Sequence, residues 1–210
     1  KRRKKHDFKY KKCIFCKEIT ISDLIFTIGP RINATGRLEN GKTSVELLNS
    51  TNLEEANKIA NKINNINNKR REMDNTATAE AIDIIEKDKT FKDKKSTIVY
   101  HPKWHKGVVG IVASRLAEKY FKPTIILTKS NGLITGSARS VKDFDIHEAI
   151  DSCSEYLEHF GGHTFAVGLT LKEENLDKFI NKLENIISNS ISDTTLLPVI
   201  EYDTDIDIKD

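Results

Sequence analysis

KSTIVYHPKWHKGVVGIVASRLAEKYFKPTIILTKSNGLITGSARSV, residues 95–141, decides the class of this chain. STIVY (96–100) is rich in β-branched and aromatic residues and reads as a strand. Val108 to Tyr120 carries apolar residues at helical spacing, and Pro123 closes it. TIILT (124–128) is a short continuous apolar run, the pattern of a buried strand. Asn131-Gly132 is the strongest short hairpin signal, so LITGSARSV (133–141) should return antiparallel to TIILT. Such βα units with one hairpin predict an α/β fold: a mixed β-sheet flanked by helices.

Outward from this stretch the alternation continues. Asp145 with Glu148 three residues on predicts a capped helix from about Asp145 to His159, stopped by Gly161-Gly162. TFAVGLTL (164–171) reads as the next strand. Glu173 to Ser190 reads as an amphipathic helix through Leu176, Phe179, Ile180, Leu183, Ile186 and Ile187. Towards the N-terminus, residues 52–88 contain neither Gly nor Pro, and apolar residues from Ala56 to Ile85 keep one helical face. Thr51 and Glu54 form a capping-box pair at its start. A helix of that length is about 50 Å long, more than a small domain is wide, so a bridge between two bodies is expected. Before it, LIFTI (24–28) and SVELL (44–48) flank a segment, GPRINATGRLENGK (29–42), read as a shaped loop.

With 210 residues, 38% of them hydrophobic, the chain can bury a core, and disorder as its overall state is excluded. The longest apolar run, around Val108 to Ala113, is far short of the roughly 20 residues of a spanning helix. A soluble, cytoplasmic protein without membrane contact is expected. The odd cysteine count (Cys13, Cys16, Cys153) argues against an oxidised framework. The net charge of +3 hides an asymmetry: residues 1–12 sum to +7, residues 201–210 to −4, and the middle is neutral. Any polyanion site in the middle must therefore come from local placement of charge. A start within a basic run and a stop after IEYDTDIDI give the expectation of an excised fragment.

Several motifs carry candidate chemistry. Gly36 to Thr43 fits the phosphate-loop pattern G-x-x-x-x-G-K-[ST]. Glu39 inside the cradle, a following helical run of barely two turns and the lack of a strand ending in Asp count against a nucleotide site. Cys13-x-x-Cys16 is half a structural zinc site with no second pair at ligand spacing, so no metal is expected here. Gly29 to Arg37 brings Arg31, Asn33 and Arg37 into one segment: guanidinium groups suit phosphate, and the amide suits sugar, phosphate or backbone. The alternative is a staple between this segment and the long helix. Trp104 to Arg115 enters a helix through Gly107 and Gly110, with His105 and Lys106 adding a donor and a charge; close packing of the glycines is the alternative. Ser137 and Arg139, two apart on a strand, share a face and make a phosphate pocket, against which a buried salt bridge of Arg139 must be weighed. Gly161 and Gly162 leave room for a ligand beside His163, a donor to phosphate or to a scissile oxygen.

These segments occur in one order, and GPRINATGRL (29–38), WHKGVVGIVASRL (104–116), TGSARS (135–140) and FGGHTFAVGL (160–169) strongly resemble the matching stretches of the RecJ-like single-stranded-DNA exonucleases, members of the DHH phosphoesterase superfamily. The resemblance covers roughly residues 19–200. It implies a catalytic DHH domain that holds two Mn2+ or Mg2+ ions, a long helix, and a DHH-associated domain that binds nucleic acid. The Asp-His-His motif is absent from this sequence. The expected organisation is therefore residues 1–50 as a C-terminal remnant of the DHH domain, 51–89 as the connecting helix, 90–192 as the DHH-associated domain, and 193–210 as the start of an OB-fold domain.

By the same resemblance, Ser137 and Arg139 grip the 5′-terminal phosphate, Arg31, Asn33 and Arg37 hold the strand, and Gly161, Gly162 and His163 touch phosphates. His105 is a further contact. No catalytic or metal-binding residue is expected in this segment, His163 being the one candidate for catalytic support. The implied parent is a 5′-to-3′ exonuclease of DNA repair and recombination, a monomer that works beside a helicase and a single-strand-binding protein, the segment alone being inactive. The alternatives are a DHH-family phosphodiesterase acting on oligoribonucleotides or cyclic dinucleotides, and a non-catalytic nucleic-acid-binding module. Thr35, and Phe165 to Val167, depart from the family pattern without touching a side chain given a role.

Overall fold

A computed structural model of the chain describes residues 19–198 and Thr204. Cys13-x-x-Cys16, the basic start and all but the beginning of the expected OB-fold segment lie outside the described residues. The chain divides into two compact units, residues 1–67 and 68–210. No described helix is long and apolar enough to cross a membrane.

The first unit is helical. A capped turn, α1 (Ile21–Asp23), runs through a π-helical stretch, Leu24–Ile28, into α2 (Gly29–Leu38); α3 (Lys42–Asn49) follows. GPRINATGRL is therefore a helix, not the loop that its Gly and Pro suggested. Pro30 stands in the first turn of α2, where its missing N–H costs nothing and its fixed φ already suits a helix. The phosphate-loop match is likewise the end of one helix and the start of the next: Gly36 lies within α2, and Gly41 is right-handed at φ −57°. Thr35 is buried and shares a hydrogen bond of 2.9 Å with Ser44, joining α2 to α3.

The long helix α4 spans Leu53–Lys87. Its cap is Asn52, whose Oδ1 accepts the Glu54 and Glu55 N–H groups at 2.8 and 3.3 Å, rather than the expected Thr51. The compact units divide inside α4, between Asn67 and Asn68. Ile63 and Ile66 are buried in the first unit; Ala77, Ala81 and Ile85 are buried in the second.

The second unit is built on a five-stranded sheet of order β1-β2-β3-β5-β4: β1 (Thr97–Tyr100), β2 (Thr124–Ser130), β3 (Leu133–Arg139), β4 (Leu157–His163) and β5 (Ala166–Leu171). Only β1 and β2 pair in parallel, with α5 (Val109–Tyr120) between them in the chain. Asn131 and Gly132 take φ of 52° and 80°, the two positive values of a type I′ turn, so the β2–β3 hairpin forms as predicted. One face of the sheet packs on α6 (Ile146–Asp151) and α7 (Leu176–Ser190), where Phe179, Leu183 and Ile187 recur at helical spacing and are fully buried. Each such side chain contributes about 1.5–3 kcal/mol. On the other face α5 packs against β1, β2 and β3.

The predicted helix from Asp145 to His159 is wrong beyond Asp151. The chain leaves α6, makes a 3-10 turn at Ser154–Tyr156 and enters edge strand β4, so Gly161 and Gly162 lie in a strand and stop no helix. A β-bulge between Leu157 and His159 explains the misreading. It lets Leu157 and Phe160, three apart as on a helix, both pack against the core.

Candidate nucleic-acid interface

The pairing register assembles the second unit's candidate residues. Arg139 pairs with Ala166 and Ala166 with His163; Ser137 pairs with Gly168 and Gly168 with Gly161. These two rows lie on the face against which α5 packs, because the alternate residues Ala138, Val167 and Leu169 belong to the opposite core. On this face Gly161, Gly168 and His163 are exposed and Ala166 is half-buried. The outcome is a shallow floor of small residues on β5 and β4 beside a polar wall on β3.

That wall is preorganised. Arg139 Nη1 donates to Ser137 Oγ at 2.8 Å and to the Ala138 carbonyl at 2.7 Å, so the guanidinium lies along its own strand. The first turn of α5 backs it: a Cβ on Gly110 would come within 3.1 Å of both Arg139 Nη2 and Ser137 Oγ. Gly110 is thus the small residue that lets the positive end of α5 approach the pair. A guanidinium, a hydroxyl and a helix N-terminus in one place suit a phosphate monoester.

The floor's glycines differ in their reasons. Gly162 has φ +155°, and a Cβ there would meet Ala166 O at 2.1 Å, so the chain itself demands glycine. A Cβ on Gly161 would have no atom within 4 Å, and one on Gly168 would meet only the Gly161 carbonyl, at 3.9 Å. Interior strand glycines weaken a strand, and where packing does not require them they mark close approach by another backbone.

His163 Nδ1 accepts the Phe165 N–H at 3.3 Å, which leaves Nε2 as its proton-bearing nitrogen. The turn beyond it is anchored by Asp145, which accepts the Thr164 hydroxyl at 3.0 Å while capping α6 through the His147 and Glu148 N–H groups. Those bonds, that from the Glu148 N–H foremost, hold the Asp145 carboxyl below its ordinary value. His105 lies ahead of α5, its Nδ1 accepting the Gly107 N–H at 3.0 Å. Burial, then the charges of Lys106 and Lys69, lower its pKa, which favours the neutral imidazole with its proton on Nε2.

The first unit holds the remaining candidates on α2. Asn33 and Arg37 are exposed and four residues apart, hence on one helix face. Gly36 shares that face, with nothing within 4 Å of its Cβ position. Arg31 serves the alternative weighed from the sequence: its Nε donates to Asn64 Oδ1 of α4 at 2.7 Å and its Nη1 to the Thr27 carbonyl at 2.5 Å. Two of its five donors therefore staple the segment to the long helix.

Sequence reasoning missed Gly168 and Ala166, although the period-2 pattern of AVGLT carried the signal. It also missed Asp74, which is fully buried between Arg70 Nη1 at 2.7 Å and Arg115 Nη2 at 2.8 Å and ties α4 to α5. Among the described residues no three His, Cys, Asp or Glu side chains come together as a metal site.

Residues 93–189 match the DHHA1 domain. The single-stranded-DNA-specific exonuclease RecJ of Bacillus subtilis (strain 168) is 36% identical over 187 residues, 88% of this chain and 24% of that protein. RecJ of Escherichia coli (strain K12) is 33% identical over 186 residues, 85% of this chain and 32% of that protein. The crystal structure of RecJ from Thermus thermophilus in complex with Mg2+ superposes with a TM-score of 0.72 at 26% identity, over 80% of this chain and 26% of that one. The chain thus spans 24% and 32% of the length of these two curated relatives. On these matches, the chain is a RecJ homologue that carries a DHHA1 domain.

Proposed function

We propose that this chain is the substrate-binding part of a RecJ-type exonuclease that degrades single-stranded DNA from its 5′ end in repair and recombination. The observation that carries the reading is the Arg139–Ser137 pair, held against the first turn of α5 by Gly110 and in register with the glycine floor and His163. In it, Ser137 and Arg139 bind the terminal phosphate, and Gly161, Gly162 and His163 admit and contact the adjoining backbone. Asn33, Arg37 and the uncommitted donors of Arg31 serve the strand from the first unit, with His105 as a neutral donor. Holding the terminal phosphate at a fixed place sets which phosphodiester is presented for cleavage, which makes the enzyme an exonuclease.

Divalent ions, in enzymes of this chemistry, activate water and neutralise charge on the cleaved phosphate. The reading assigns this chain positioning and charge neutralisation, with His163 as the candidate for catalytic support. It places residues 1–50 as the close of a DHH domain, 90–192 as the DHH-associated domain and 193–210 as the opening of an OB fold, in a cytoplasmic, monomeric protein that cooperates with a helicase and a single-strand-binding protein.

The test is one titration of the chain with 5′-phosphorylated and 5′-hydroxyl single-stranded DNA, matched RNA, a cyclic dinucleotide and tRNA. Tightest binding to the phosphorylated DNA is expected. Equal affinity for the two DNA ends overturns the terminal-phosphate pocket, and preference for one of the other ligands replaces the reading with the corresponding alternative.

A further inference from the structure

The open face of the sheet does not end at the glycine row. Two residues further along each strand, Thr135 of β3 pairs with Thr170 of β5, and Thr170 pairs with His159 of β4. The period of two puts these side chains on the same face as Ser137, Gly168 and Gly161, about 6.7 Å further along the strands. His159 is exposed, and Thr135 and Thr170 are half-buried. The bulge at Glu158 keeps this register: Leu157 turns to the core, Glu158 lies 3.6 Å from Lys172, and His159 stays in line with Gly161 and His163. The Thr135 hydroxyl donates to the Leu169 carbonyl at 3.4 Å, so Thr170 and His159 are the donors of the kind that bind phosphate and sugar oxygens without reading bases.

We infer that Thr170 and His159, bordered by Thr135, form a second backbone-binding row, which receives a nucleotide of the same single strand beyond the one whose end Ser137 and Arg139 hold. This rests on the proposed terminal-phosphate site and extends it along the sheet. The row spacing is that of successive phosphates in a stretched strand, and the Gly168–Gly161 floor between the rows lets the backbone pass close to the sheet. Affinity should therefore grow with oligonucleotide length until this row is filled.

The test is equilibrium binding of the full chain to thymidine 5′-phosphate and to 5′-phosphorylated oligothymidylates of two, four and six residues, compared with the variants His159→Ala, Thr170→Val and Arg139→Ala. His159→Ala and Thr170→Val should each weaken binding of the tetramer and hexamer about five- to tenfold, the scale of one lost hydrogen bond to a charged group. They should leave the mononucleotide unchanged, which also shows that the fold is intact. Arg139→Ala should weaken all lengths. Tetramer and hexamer binding unaffected in both row variants, with Arg139→Ala impaired, overturns the second row alone. Weakening of the mononucleotide by the row variants overturns it too. Failure of the unaltered chain to bind any phosphorylated oligonucleotide overturns both this row and the terminal-phosphate site on which it rests.

Discussion

A side-chain carbon on Gly110 would lie 3.1 Å from Ser137 Oγ, closer than packed atoms ordinarily come. Gly110 is therefore a spacer between the start of α5 and the Ser137–Arg139 pair. Gly110→Ala should leave stability within about 1 kcal/mol of the parent, because alanine suits a helix and the crowded atoms are side-chain ends. Affinity for a 5′-phosphorylated strand should fall about tenfold as the pair is displaced. Urea denaturation and a binding titration on one preparation measure the two effects.

Arg139 should not tolerate lysine. Its guanidinium engages Ser137 Oγ and the Ala138 carbonyl through Nη1, a planar geometry that an ammonium cannot copy. Arg139→Lys keeps the charge, so long-range attraction and its salt dependence should persist. Preference for a 5′-phosphate over a 5′-hydroxyl should drop about ten- to a hundredfold. Competition between the two oligonucleotides reads it directly.

The adjacent glycines should separate stability from binding. Gly162→Ala forces a carbon to 2.1 Å from Ala166 O at φ +155°, and should cost about 2–4 kcal/mol as β4 is pushed off β5. Gly161→Ala meets nothing within 4 Å, and its melting temperature should match the parent's. On the proposed path of the strand over this floor, the added methyl obstructs it, so oligonucleotide affinity should still fall. Calorimetry of both variants and a titration of Gly161→Ala decide this.

What the sequence revealed was local. Asn131-Gly132, the periodicity of α4 and the same-face placement of Ser137 and Arg139 depend on residues a few positions apart, and each appears in the structure. The bulge at Glu158 gave Leu157 and Phe160 a helix-like spacing, so β4 was read as the end of α6. Gly29 and Pro30 are turn formers that a helix also accepts in its first turn, so local sequence does not separate the loop it predicts from the helix that forms. The row of Thr135, Thr170 and His159 and the pairing of Asp74 with Arg115 depend on which strands and helices meet, and no local pattern encodes them.

Asp74 is the electrostatic anchor of the second unit. It is fully buried, hydrogen-bonded by Arg70, and touched by Arg115 in a charge contact outside hydrogen-bond geometry; Arg115 also donates to Asn75 and Thr78 of α4. Removing one partner of a buried ion pair strands the others, at about 3–5 kcal/mol. Arg115 is partly exposed, so Asp74→Ala should fall at the low end, and Arg115→Ala should cost less. Urea unfolding of the two variants and their double mutant should give a coupling energy; additivity would mean that the contact does not hold α5 to α4.

Acid should loosen the joint between α4 and β1. Asp88 follows α4, and its carboxylate accepts from Lys94 Nζ at 2.8 Å and from the Thr90 N–H and hydroxyl at 2.9 and 2.6 Å. Lys94 first, then Thr90, lower its pKa from 3.8 to about 2. A carboxyl whose pKa is lower in the folded chain stabilises fully above its unfolded value, and that contribution fades as pH falls towards the folded one. The melting temperature of the parent should therefore exceed that of Asp88→Asn at pH 5, and the gap should close between about pH 4 and pH 2. The site is exposed, so the gap should be small, and a constant gap down to pH 2 would show that Asp88 acts through something other than its charge.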